Sequence, residues 1–463
     1  MQSQEKHQES IVVLILVMFT SFITPFIGSA INLALPMIAH EFGLNAVIMS
    51  WVTMAFLLSS AVFLVPLGKL ADIFGRKRVF LTGNVVLALA SLLAVFAPND
   101  ATLIALRVVQ GIGSAMMFAT GIALITSVFP PNARGRAIGM NVTAVYVGLS
   151  AAPVLGGLMI DALGWRSLFY IPALLGIPAV IAAILTIKGE WAEAKGEKFD
   201  ILGSGIFIVS MCALMYGFSK LPSTVAIVLT AVGLLGLALF VKLQMKLEYP
   251  VFNVSLFRVN RLFALSNLAA LINYATTFAI TFVLSLYLQY IKGLSAREAG
   301  LLLVIQPLVM AVIASWSGRL SDKHDPRILA SAGMGVIAVG LALLIPISNE
   351  TAVTYIGVVL GILGLGFGMF SSPNTNAIMG SVEKRYIGLA SGTVATMRLV
   401  GQMLSMGIAT MVIHVFIGTG TINASNHKQF ILSASVTFAI FVALSVLGVW
   451  ASLARGGKNG NQA

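Results

Sequence analysis

Along this chain, apolar residues do not alternate with polar ones at the strand period or form one stripe at the helical period. They run in continuous blocks of about 20, the length a helix needs to cross a hydrocarbon core roughly 30 Å thick. The blocks predict fourteen membrane-spanning helices, near 11–38, 48–69, 79–97, 101–128, 137–161, 165–187, 201–219, 222–243, 263–290, 297–319, 327–348, 353–379, 387–416 and 428–453. The first block continues past Pro25 to Pro36 with no A-x-A-like cleavage site, which predicts a retained helix rather than a signal peptide. One long polar break, KGEWAEAKGEKFD at 188–200, follows the sixth block, so the helices group as six, two and six.

An internal echo supports this grouping. GKLAD at 68 returns as GRLSD at 318, an offset of 250, and Gly135, Ala137, Gly139, Thr143 and Gly148 return as Gly388, Ala390, Gly392, Thr396 and Gly401, an offset of 253. Related parallel halves with a site between them are a common secondary-transporter plan. The expected organisation is an all-α polytopic membrane protein with an N-terminal six-helix bundle over 1–187. A linker, two inserted helices and a cytoplasmic loop follow over 188–262, and a C-terminal six-helix bundle and tail over 263–463.

Composition agrees: 58% of the 463 residues are hydrophobic and 10% charged, against about 25% charged in a soluble domain. The net charge of +12 fits topology rather than nucleic-acid binding. With the N-terminus inside, 21 of the 28 Lys and Arg fall in inner segments and five in outer ones (Arg166, Lys220, Lys292, Arg297, Lys428), leaving Arg107 and Arg398 inside spans. That bias places both termini in the cytoplasm, and the membrane is read as the plasma membrane. The single cysteine, Cys212, cannot form an intrachain disulfide and reads as a small buried hydrophobe. Neither a phosphate-binding loop nor a His/Cys metal cluster nor a Ser/His/Asp arrangement is visible, so the chain is expected to use no cofactor or metal and not to be an enzyme.

Between the second and third blocks lies GKLADIFGRKRVFL. Gly68 permits close helix approach, Asp72 can face a cation or a helix N-terminus, and Arg76, Lys77 and Arg78 anchor the turn at the inner surface. The stretch closely resembles the G-x-L-a-D-r-x-G-r-k signature of the major facilitator superfamily, with Ile73 where that pattern often has a basic residue. LIALRVVQGIGSA at 103–115 resembles the family's helix 4 motif, and GLSAAPVLGG at 148–157 its antiporter motif, with Ala152 where Gly is usual. GWRSLFYI at 164, PVFNVSLFRVNRLFAL at 250 and SAREAGLLL at 295 resemble the 14-helix drug:proton antiporters. The resemblance covers essentially the whole chain and implies the major facilitator fold, multidrug-type efflux by alternating access, and a conformational latch formed by Gly68, Asp72, Gly75, Arg76 and Lys77. The helix 5 motif would be carried by Gly148, Pro153, Gly156 and Gly157, letting that helix bend and pack against a partner in the other half.

Arg107 and Arg398 are costly inside lipid unless paired or hydrated, so with Gln110, Asn32 and Asp161 they are candidates for a proton or substrate pathway. Snorkelling to the outer interface, or bonding backbone carbonyls, is the alternative for Arg107. The polar run SSPNTN at 371–376 is expected either to line a cavity or to tie helices together. The 14-helix antiporters commonly carry an Asp on helix 1 where this chain has Ile27, and none of the sixteen Asp and Glu falls in mid-span. A coupled proton would need Asp161, His414, His40 with Glu41, or the cargo itself. Two uncompensated cations predict a small amphipathic substrate that is neutral or anionic rather than dicationic. Rival readings are an uncoupled metabolite facilitator, which the missing carboxylate favours, and a sensor or scaffold that moves nothing.

Overall fold

The structure, a computed structural model, describes residues 2–187, 189–252, 254–383, 387–418 and 420–455. Of the inner cations counted above, the side chains of Lys6, Arg136, Lys188, Lys323, Lys384, Arg385 and Lys458 lie outside the described ones, as does that of Asp322 in the second GRLSD copy. Among the described residues there is no strand, and fourteen helical segments are long and apolar enough to cross a membrane.

The helices are α1 (Gln2–Phe42), α2 (Ala46–Phe74), α3 (Arg76–Val95), α4 (Asp100–Val128), α5 (Pro131–Leu163), α6 (Tyr170–Thr186), α7 (Ile201–Ser219), α8 (Thr224–Gln244), the short α9 (Ser255–Val259), α10 (Arg261–Leu286), α11 (Ala296–Leu303), α12 (Ile305–Lys323), α13 (Pro326–Leu344), α14 (Val353–Gly380), α15 (Ile387–Ile417) and α16 (His427–Ala454). The tenth predicted span is α11 followed by α12, a single crossing from Ala296 to Ser321. Helix ends carry the expected devices. Asn99 accepts from the Thr102 amide at the start of α4, and Ser295 and Glu298 close a capping box on α11.

The chain divides into two compact units, one of Met1–Phe42, Trp51–Gly217 and Val228–Asn253, the other of Gly43–Ser50, Phe218–Ile227 and Val254–Ala463. Among the described residues six membrane crossings fall in each, α11 with α12 counting as one, and α7 with most of α8 joins the first as two more. In α7 and α8 the pairing is direct, with Phe207 and Phe240 rings 5.0 Å apart.

The repeat seen in the sequence reappears as repeated close packing. In the first unit Gly111 of α4 abuts the Phe56 carbonyl of α2, Gly113 the Gly83 carbonyl of α3, and Gly148 of α5 the Phe22 carbonyl of α1. In the second, Gly364 abuts the Gln306 carbonyl, Gly366 the Gly333 carbonyl, and Gly401 the Leu271 carbonyl. Each glycine is displaced by 253 residues and its partner by 249 or 250. Within lipid the hydrophobic effect does not drive helices together, so small residues that let backbones meet set where they pack.

Candidate functional site

In the first unit four helices share a buried polar belt. Thr53 of α2 donates to Asn32 of α1 (2.8 Å). Its neighbour Val52 accepts from Arg107 Nε (3.0 Å), Arg107 Nη1 donates to Gln110 Oε1 (2.9 Å), and Gln110 Nε2 donates to Ser91 of α3 (2.8 Å). The Phe56 ring lies 4.4 Å from the guanidinium carbon, adding a cation–π contact. Arg107 is 0% exposed, so it does not snorkel, and its Nη2 finds no acceptor among the described residues. A carbonyl, an amide and a ring face are what make this burial tolerable. The belt unites Asn32, Arg107 and Gln110. Ser91, Thr53 and Phe56 complete it, and the sequence offered no signal for them beyond small polar residues in apolar blocks.

The turn between α2 and α3, the latch candidate, is also built as a unit. Gly75, at φ +122°, ends α2 and opens α3, a conformation side chains rarely adopt. Arg76 was expected at the surface with Lys77 and Arg78 but is buried. Its Nε donates to Asp72 (2.8 Å) one turn earlier, and its Nη1 donates to Ser127 of α4 (3.0 Å). The Lys77 ammonium meets the Ile187 carbonyl. Gly68 faces Ala119 across 3.5 Å from where its Cβ would stand, ordinary contact, so close approach does not require glycine there.

On α5, Gly148 and Gly156 seat the helix on α1 of the same unit, where a Cβ on Gly156 would come within 2.8 Å of Ala30. Pro153 and Gly157 are buried beside them. Arg398 lies half-buried on α15, three residues before Gly401.

The proton candidates Asp161, His40 and Glu41 are all exposed, and Glu41 is held by Arg166 (2.7 and 2.9 Å) and by the Trp165 indole (2.7 Å), which fastens α1 to the turn before α6. His414 Nδ1 lies 3.3 Å from the Gly418 carbonyl.

The SSPNTN run acts as interhelical glue. Asn374 donates to the Ser266 carbonyl of α10 (3.1 Å), and Asn376 to Ser321 of α12 (2.7 Å). Asn374 also accepts from Arg455 (2.7 Å), which sequence reading had left as a tail cation but which is 4% exposed. Among the described residues no three His, Cys, Asp or Glu side chains converge as a metal set would.

Comparison with known proteins matches these features. The chain is 30% identical to the riboflavin transporter RibZ of Clostridioides difficile (84% of each chain) and 29% identical to the multidrug resistance protein Stp of Mycobacterium tuberculosis (82% of this chain, 71% of Stp). It is 30% identical to the cephamycin export protein CmcT of Amycolatopsis lactamdurans (88% and 85%). A bacterial homologue of the lysosomal transporter Spinster shares the fold at 15% identity, with a TM-score of 0.69 over 97% of each chain. The family model described as Major Facilitator Superfamily covers residues 17–406 and, in a second match, 266–459. With that match over most of its length and relatives at 30% identity, the chain belongs to the Major Facilitator Superfamily.

Proposed function

We propose that this transporter exports small amphipathic molecules, neutral or anionic, across the plasma membrane by alternating access, in exchange for protons. Arg107 carries the proposal: a guanidinium fully buried in the bundle with no carboxylate hydrogen-bonded to it among the described residues. At 4 Å and an effective dielectric near 20, a cationic cargo group beside such a charge would be repelled by about 4 kcal/mol, while an anionic or neutral polar group would be held. Arg398, Gln110 and Asn32 extend the pathway, and the Asp72 turn switches it. The named cargoes of the relatives, riboflavin and a cephamycin, support small molecules as the class. Both termini are cytoplasmic on the 21 to five bias of cations. The working division is a bundle over 1–187, a linker with inserted helices over 188–262, and a bundle over 263–463.

For the proton, Glu41 is the candidate acid with a fixed cationic partner, exposed but held by Arg166, and its protonation would require release from Arg166. A second reading, an uncoupled facilitator, is favoured by the absence of any acid in mid-span. Vesicles holding the purified chain separate the two. With riboflavin as probe, an imposed pH gradient accelerates export under the first reading and leaves it unchanged under the second. Proton-driven efflux of a permanently dicationic dye would refute the charge preference.

A further inference from the structure

The segment after α6, read from sequence as a polar linker, is bound along the latch turn of the same unit. Two backbone bonds fix it: the Arg76 amide donates to the Trp191 carbonyl (2.9 Å), and the Ala194 amide donates to the Asp72 carbonyl (2.9 Å). Three acids then each meet the turn. Glu190 accepts from the Lys77 amide (2.9 Å) and stands 3.6 Å from Arg78 Nε, Glu193 takes both terminal nitrogens of Arg76 (2.8 and 2.9 Å), and Glu197 pairs with Lys69. The segment's own cations Lys195 and Lys198 are exposed. Charge thus sorts the contact: Glu190, Glu193 and Glu197 meet the turn, while the fourth acid of the segment, Asp200, serves α7 and α8 instead.

Gly75 has a second reason to be glycine here. A Cβ at that position would come 2.5 Å from the Glu190 carboxylate, so the segment seats where a side chain would stand. Arg76 is the junction. Asp72 holds its Nε, Ser127 and Glu193 share Nη1, and Glu193 alone among the described acceptors holds Nη2. The Arg76 side chain is 9% exposed, whereas that of Glu193 is 68% exposed. A mostly solvated carboxylate on a nearly buried guanidinium makes a contact that can form and release at modest cost, as a fully buried pair cannot.

Beyond the segment the connection continues into the inserted helices. Asp200 accepts from the Gly203 amide at the start of α7 (2.8 Å) and from Gln244 at the end of α8 (2.6 Å). Gln244 in turn accepts from the Val251 and Phe252 amides (2.7 and 3.1 Å).

We propose that Glu193 is a positioning residue of the latch, acting through Arg76, and that 189–200 is a releasable strap joining the latch to the inserted pair α7–α8. The strap orients the guanidinium against Asp72 and keeps its terminal nitrogens from seeking other acceptors. Its release frees both members of the latch together, so the inserted helices take part in the switch.

The test uses the full chain in lipid nanodiscs and in vesicles. Glu193→Gln keeps size and one acceptor oxygen but loses the bidentate charge. Amide exchange is expected to quicken about tenfold in peptides covering both 189–197 and 71–78, because each segment protects an amide of the other. Riboflavin transport should lose about fivefold in kcat with KM changed by less than about twofold, a split expected of a switch defect rather than a lost binding contact. Glu193→Asp should restore at least half of each effect, and Lys195→Gln should change neither. Unchanged exchange in Glu193→Gln would overturn the proposal, as would fast exchange accompanied by normal turnover. If the unmodified chain does not move riboflavin, the proposed cargo class fails. The paired change in exchange then decides the positioning role: acceleration of the 189–197 peptide alone would overturn it.

Discussion

Replacing Arg455 should weaken the second unit, by an amount its contacts allow to be worked out. The residue stands just past α16 and reaches three elements: Nη1 donates to the Ser266 hydroxyl of α10 (3.1 Å) and to Asn374 of α14 (2.7 Å), and Nη2 donates to the Pro326 carbonyl at the start of α13 (3.0 Å). Hydrogen bonds from a charged donor contribute about 1.5–3 kcal/mol each, so three contribute roughly 5–9 kcal/mol. Burial opposes them. It pulls the Arg455 pKa down from the usual guanidinium value to about 10, a cost of about 3 kcal/mol that an uncharged side chain recovers. Arg455→Met should therefore destabilise by about 2–6 kcal/mol. At a melting entropy near 2 cal/mol/K per residue, that is a fall in melting temperature of about 2–6 °C for a chain this long. Arg455→Lys should recover less than half, since one ammonium cannot span acceptors on three helices as a planar fork does. The pH dependence has a definite sign. A folded pKa below the unfolded one means the folded state sheds this proton first, so the penalty of burying the charge is lifted only as pH rises above about 10. The difference between unmodified chain and Arg455→Met should thus be flat between about pH 6 and 9. Thermal unfolding in detergent, followed by circular dichroism at several pH values, measures both. A melting temperature within about 1 °C of the unmodified chain would refute the reasoning, because three buried acceptors would then have lost their donor without cost.

Three further outcomes are expected. In a variant with Cys212→Ala, cysteines placed at Lys195 and Asn99 should react with an impermeant reagent from the inside and the outside respectively, and outside labelling at 195 would reverse the proposed orientation. Asp72→Asn should leave the chain inserted yet lower transport sharply, since it weakens one end state of the switch, and normal turnover in vesicles would reduce the turn to a topology anchor. Gly148→Ala and Gly401→Ala should each destabilise by about 1–3 kcal/mol, because the new methyl meets the Phe22 or Leu271 carbonyl. Gly139→Ala, which opens onto free space, should not, and equal melting of all three would show that these contacts do not set the packing.

The fold was legible because lipid leaves few choices: an apolar block of sufficient length must be a helix, and its charge flanks orient it. The repeat was legible because small residues at backbone crossings cannot vary. Asn32, Arg107 and Gln110 could be picked out because polar groups stand out in apolar blocks, and they share one belt. Arg455 was misread because flanking position made it look like one more topology cation, whereas the tertiary fold folds it back onto three helices. Glu190, Glu193 and Glu197 were read only as linker charge for a similar reason. Their partners lie more than 110 residues earlier, and no local period couples a coil segment to a distant turn.

The two units also show where symmetry stops. Backbone crossings correspond glycine for glycine, but the polar belt has no counterpart. At the positions equivalent to Ser91, Arg107 and Gln110 stand Leu341, Leu360 and Leu363, all fully buried. Three leucines fill by packing the space that the other unit fills with a hydrogen-bonded cation, so the belt is not required to build a six-helix unit of this kind. A buried guanidinium with an unfilled donor costs free energy that apolar side chains in the matching place avoid. Its presence in one unit only is what singles out Arg107 as a candidate functional residue. The same comparison limits transplantation. Leu360→Arg would place a guanidinium where Leu341 and Leu363 offer it no acceptor, and the second unit should fail to fold around it even though the first carries the same residue at the equivalent crossing.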